Sequence, residues 1–339
     1  MKGVNIIMEY GDFIFIGANA LDKNMQVDFL EYLGWLMKDD FIILEEELKN
    51  RLEIKNLPKR NNEQIIEGII VTSNKEFTKK TQDKNFYICH ALCILYVMKR
   101  IFKEDFYDTL KIAASDKNTN FLTNEYEQIL RWILLDVEDL CSLYSQTTQK
   151  DSKYQSFIRN RYIHTASVHQ VLRQGLYGNI SFHSFADKEI SATIGTIRQL
   201  IELRIRRSFG IMAFIDDDEN VHPLDLSTLF DVIKKYKNDI VFPIKLENII
   251  RIYKWANSFV HSGLCDYSWI PFFLEFMLRN FSFGEEKDYG WNVNNGIVTS
   301  QSTIDAIQND LIQKRNGDSD TNVIKLKLLI CKPECEIKN

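Results

Sequence analysis

Asn257 and His261 stand four residues apart near the end of the stretch LENIIRIYKWANSFVHSG, Leu246–Gly263. In a helix that spacing stacks one side chain above the other. Histidine is the residue type best suited to moving protons near neutral pH. An amide one turn away can orient an imidazole or a bound phosphate. Lys254 and Arg251 lie on the same polar side and offer positive charge for that phosphate. The same three residue types recur at Arg159-Asn160-Arg161-Tyr162-Ile163-His164, with arginine, asparagine and histidine inside six residues. A third basic group is RQLIELRIRR, Arg198–Arg207. Arg204 and Arg207 share a helical face there and could grip phosphates. Glu202 is four residues from both Arg198 and Arg206, so intrahelical pairing is the competing explanation for that charge.

Other candidates point away from metals and cofactors. Asp216–Glu219 is acidic but lacks the alternate-position spacing of a calcium loop, and reads as a solvated loop at a helix end. Cys89, Cys93, Cys331 and Cys335 form two Cys-x-x-x-Cys pairs, which would have to converge to hold zinc. Neither has ribbon spacing and the first sits in an apolar helix, so buried thiols are expected, with Cys141 and Cys265 likewise reduced. There is no Gly-rich phosphate loop, Gly-x-Ser-x-Gly elbow or His-Glu-x-x-His. No cofactor and no metal are expected.

These residues need elements to position them. With 339 residues, 45% hydrophobic and 26% charged, the chain is long enough for two or three cores. Only 14 glycines and 5 prolines favour long helices over many-turned β structure. A net charge of −5 excludes a generally basic nucleic-acid binder, so contact with RNA requires a local patch. Glu9 and Asp12 interrupt the first apolar run and no segment reads as a membrane span, so a cytoplasmic location without membrane contact is expected.

The pattern predicts a mainly α fold with a small α/β N-terminal region and a short C-terminal strand. Residues 1–84 read as the α/β part, with a hairpin over Val4–Ile16, a strand-then-helix over Phe41–Leu57 and a lysine-rich linker over Asn74–Lys84. Residues 85–180 read as helical. Phe86–Phe102 is apolar nearly all round, and a long helix over Asn124–Tyr144 has Asn124 as its cap. A second helical unit spans 188–283, with helices over Thr196–Phe214, Leu226–Tyr236, Leu246–Gly263 and Trp269–Phe281. In the third of these, Leu246, Ile249, Ile250, Tyr253, Ala256 and Val260 form the apolar stripe, and Gly263 supplies the stop. Residues 284–339 read as loop, helix and a strand over Val323–Cys331, which could pair with the N-terminal hairpin.

The order of elements over 188–283, with Ile-Glu-Leu in its first helix, Leu-Ser-x-Leu-Phe in its second and the Asn-x-x-x-His-x-Gly ending, resembles the HEPN domain. That family comprises helical bundles found in prokaryotic toxins and antiphage defence proteins. The resemblance covers about 95 residues. It implies a metal-independent endoribonuclease acting through the RNA 2′-hydroxyl, a homodimer formed through the bundle, and an antitoxin or other protein partner. Carried onto this chain, His261 is the acid–base group and Asn257 the orienting one, with Lys254 or Arg251 holding phosphate. The family's arginine precedes the asparagine, where this chain has Ala256. Arg159, Asn160 and His164 carry the full pattern upstream. Either residues 85–180 hold a divergent first bundle with the intact motif, or the match is fortuitous. The alternative to an enzyme is an inactive helical module that binds a protein or nucleic acid.

Overall fold

In the computed structural model the described residues are 29–105, 119–148, 193–263, 266–284, 292–317 and 325–338. The chain divides into two compact units, 1–163 with 265–273, and 164–264 with 274–339. Both are mainly helical in their described parts.

The first unit contains α1 (Phe29–Leu36), α2 (Ile42–Arg51), α3 (Asn62–Ile69), α4 (Asn74–Lys80), α5 (Lys84–Met98) and α6 (Thr119–Thr148). The expected α/β character of residues 1–84 is absent from the described part, which is helical throughout. Ile65–Ile69, too apolar and short to assign by pattern alone, is helical because Asn61 and Gln64 form a capping box around its N-terminus. The lysine-rich stretch after it is no linker. Ser73 accepts from the Glu76 amide at 3.2 Å and starts α4. Lys80 then donates to the carbonyls of Gly68 and Ile70, closing the end of α3. The hairpin expected over Val4–Ile16 lies outside the described residues.

Helix α5 is the centre of this unit, as its all-round apolar pattern predicts. It meets α3 closely: a Cβ at Gly68 would fall 2.4 Å from Cys89 Sγ. Helix α6 begins at Thr119, so Asn124 lies inside it and is not its cap. Arg51 and Glu138 tie α2 to α6 through a part-buried bidentate ion pair. The stretch Lys84–Lys103 is long and apolar enough to cross a membrane, and 67% of its most apolar window is buried inside the protein. The expectation of no such segment is therefore corrected.

The second unit contains α7 (Thr193–Ser208), β1 (Ile211–Ile215), β2 (Val221–His222), α8 (Leu226–Lys235), α9 (Leu246–Ser262), the remainder of α10 (Trp269–Phe283), β3 (Val298–Ser300), α11 (Gln301–Gly317), β4 (Lys327–Ile330) and β5 (Glu336–Lys338). Helix α7 stops six residues earlier than its apolar pattern suggests. Gly210 adopts φ +66° and turns the chain into β1, whose Ile211 and Phe214 point inward. Strand β1 pairs antiparallel with β2 and with β4. The C-terminal strand thus exists and its described partner is β1, while the N-terminal hairpin expected to join it lies outside the described residues. Strand β5 pairs in parallel with β3. These ladders make residues 325–338 part of the same unit as α7–α9, so a boundary at 283/284 does not hold.

The acidic run is the turn of the β1–β2 hairpin. Asp216 accepts from the Asp218 and Asn220 amides and from His222 Nε2, the last at 2.9 Å. The His222 hydrogen bond, with those of Asn220, holds the Asp216 carboxyl down from 3.8 to about 2. A lowered folded-state value means stability that is present above the ordinary carboxylate range and is lost as pH falls through about 2. In Asp216→Asn the acid limb of a pH–stability curve should lose this component, while stability at pH 7 falls. An unchanged acid limb would show that the turn does not depend on this charge.

Candidate functional site

The strip that carries Asn257 and His261 is set by how α7 and α9 pack. Asp225 caps α8 through the Thr228 amide, and Leu246 opens α9, so the chain returns antiparallel to α7. Gly195 of α7 lies against Val260, where a Cβ would sit 3.9 Å from its methyl group, and one turn along Arg198 meets Asn257. These two pairings give the antiparallel register. Gly263, at φ 65°, ends α9 by donating to the Phe259 carbonyl, as the glycine in the sequence predicts.

The apolar face of α9 keeps Leu246, Ile249, Ile250 and Ala256 as expected but is turned at its edges, away from Tyr253 and Val260. Ile249, Ile252, Trp255, Ala256 and Phe259 are buried, while Val260 is 45% exposed and Tyr253 half-buried. Ala256 is fully buried. The position at which the resembled motif carries arginine therefore points into the core of this unit. Asn248, a residue without a functional expectation, is buried on the same helix.

Tyr253 and Asn257 lie along the seam with α7, and His261 stands one helical turn beyond Asn257. Arg198 Nε donates to Asn257 Oδ1 at 3.0 Å. Because arginine only donates, the amide must present its oxygen here and turn its NH2 outward. The Arg198 guanidinium lies 5.7 Å from the centre of the Tyr253 ring, and Tyr253 is itself edge-on to Phe230. Glu202 approaches Arg198 at 3.6 Å but is held more closely by Arg206 at 2.6 Å. Arg206 also donates to the Leu224 carbonyl. His261 and Lys254 are exposed, on the solvent side of this seam. Ser258 and Ser262 donate back to carbonyls of their own helix and do not compete for the strip.

The other expected anion contacts separate. Arg204 is only 5% exposed, and its guanidinium donates to the carbonyls of Phe281, Asn295 and Glu334 at 2.7–2.8 Å. All three arms of its fork are used, so the expectation that Arg204 binds nucleic acid is corrected: it clasps backbone. The short helix-to-strand turn after α7 brings those carbonyls over its last turn, which no pattern in the sequence shows. Arg207 and Arg251 are half-exposed. Arg159, Asn160 and His164 lie outside the described residues.

No family model, no curated protein and no solved structure matches this chain. The chemistry is accordingly read from the residues in place. Among the described residues no group of three or more His, Cys, Asp or Glu side chains is arranged to hold a metal ion. Cys89 and Cys93 are buried thiols whose pKa is raised by burial, and Cys335 is likewise buried and raised. His90, beside Cys89 in sequence, accepts from Trp269 Nε1 at 3.0 Å through Nδ1 and is ringed by Phe86 and Tyr267. It is a core histidine. A cavity of about 270 Å³ in the first unit is lined by Arg60, Gln64, Glu67, Lys80, Asn85 and Phe86. Its two cations are engaged, Lys80 on the carbonyls that end α3 and Arg60 on Asn85.

Proposed function

We propose that this protein acts on RNA as a HEPN-like, metal-independent endoribonuclease, with the α7/α9 strip as its working face. The observation that supports this reading is the contact of Asn257 with an arginine, one helical turn from an exposed histidine. RNA brings its own nucleophile. Cleavage needs only a base for the 2′-hydroxyl, donors for the charge that builds on phosphorus, and an acid for the departing 5′-oxygen. His261, exposed in the last turn of α9, is the proton carrier. Asn257 offers its outward NH2 to a phosphate oxygen, and exposed Lys254 adds charge. A second copy of the chain, docked through the same helices, would bring a second histidine to serve as acid where the first serves as base.

An inactive binding module is the second reading, and buried Ala256 is the observation that favours it. The two part on one experiment. Purified protein is incubated with total RNA in excess chelator, alongside His261→Ala and His164→Ala. The expected result is cleavage by the wild type that falls roughly 10²–10⁴-fold in His261→Ala, the range for loss of a positioned acid–base group. Cleavage that survives in both histidine variants, or none by the wild type, would rule out the enzyme.

A further inference from the structure

We infer that Arg198, delivered from α7, is the anion-binding arginine of this strip, and that Glu202 tempers its grip; the inference rests on the RNA-directed reading above. The arginine position of the resembled motif is closed, because Ala256 is in the core. Arg198 occupies the space beside Asn257 from the facing helix instead. Its attachment leaves it able to take a ligand. Nε is committed to Asn257, the nearest carboxylate oxygen is 3.6 Å from Nη2, and no residue of the described structure takes a hydrogen bond from Nη1. The guanidinium plane is steadied by Tyr253. Nε is therefore pinned while Nη1 is open, and the side chain as a whole is 31% exposed. Arg204, Arg206 and Arg198 occupy one helix, yet Arg204 has its donors on backbone carbonyls and Arg206 reaches the Leu224 carbonyl as well as Glu202. Arg198 donates to no backbone carbonyl among the described residues.

A phosphate is the fitting ligand, since Arg198 Nη1 and the Asn257 NH2 are both donors and a phosphate offers several acceptor oxygens. Glu202 sets the balance. Its carboxylate is shared between Arg206 and Arg198, with the shorter contact to Arg206. It thus keeps Arg198 ordered without occupying it, and opposes an incoming anion with its own charge.

The test uses the full chain, a 5′-fluorescein single-stranded RNA for cleavage, and its fully 2′-O-methylated copy for binding by anisotropy over a salt series, all in chelator. Arg198→Gln should slow cleavage about 10²-fold, as for removal of one transition-state donor. The slope of log affinity against log salt should shrink by about 0.7, the loss of one phosphate contact on a single strand. Glu202→Gln should bind the methylated strand more tightly, by up to about fivefold, the worth of one nearby charge in water. His261→Ala should lose cleavage and keep binding. If His261→Ala abolishes cleavage while Arg198→Gln keeps both the wild-type rate and the salt slope, the role of Arg198 is overturned and the functional reading stands. If the wild type neither binds nor cleaves, both are overturned. If Glu202→Gln binds no more tightly, its tempering role is overturned. Should Arg198→Gln melt early, Arg198→Lys decides. Folding like wild type with cleavage about tenfold slower supports the fork, and wild-type cleavage overturns it.

Discussion

Arg204→Met should destabilise the second unit by about 3–5 kcal/mol, read as a fall in the denaturant midpoint. The substitution removes a cation that satisfies the carbonyls of Phe281, Asn295 and Glu334, and leaves those acceptors facing an apolar chain. Each buried acceptor left without a donor costs about 1–3 kcal/mol, and the remaining stem of methionine recovers part of the packing. Arg204→Lys should fall between, because one ammonium cannot span three carbonyls held by a planar fork. Equal midpoints for wild type and Arg204→Met would mean that water replaces the guanidinium at no cost, and would return Arg204 to the surface.

Ala256→Arg, the change that restores the resembled motif, should not create activity. It should instead cost about 3 kcal/mol or more, since it inserts a long charged chain where Ala256 has no exposed surface. The neighbours of that position on α9, Ile252, Trp255 and Phe259, are buried and offer no counter-charge. A variant that folds with unchanged stability and gains cleavage would show that the face of α9 assigned here is wrong. Together with the Arg198 series, this variant separates an arginine supplied by α9 from one supplied by α7.

The periodicity of α9 located its ends and its polar residues but not its rotation. Tyr253 and Val260 fit the apolar stripe as well as Ile252 and Phe259 do, and the contacts of Gly195 with Val260 and of Arg198 with Asn257 settle which side faces α7. Asn257 and His261 were legible because their spacing is helical. Arg198 was not, since an i,i+4 glutamate accounts for it locally and its contact with Asn257 is made across the helix pair. Arg204 misled for the related reason that an arginine clasping backbone has the same sequence as one facing solvent. Ile211–Ile215 read as the tail of a helix because short apolar runs fit both periods, and Gly210 with the distant partner β4 decided for a strand. The capping box at Asn61 and Gln64 was present in the sequence as a local signal, and would have assigned α3 as a helix.

The pairing of β1 with β4 has a consequence in time. Strand β1 directly follows α7, yet its second partner, β4, is made only after α8, α9, α10 and α11 have been synthesised. Arg204 waits for the same late segment, through the Glu334 carbonyl. Until residues 325–338 arrive, α7 leads into a strand paired only with β2 and carries an arginine with incomplete backbone contacts. Long-range closure of this kind is slow and comes late in folding. The C-terminal end of α7, where Arg204 and β1 lie, is therefore completed among the last features of the second unit.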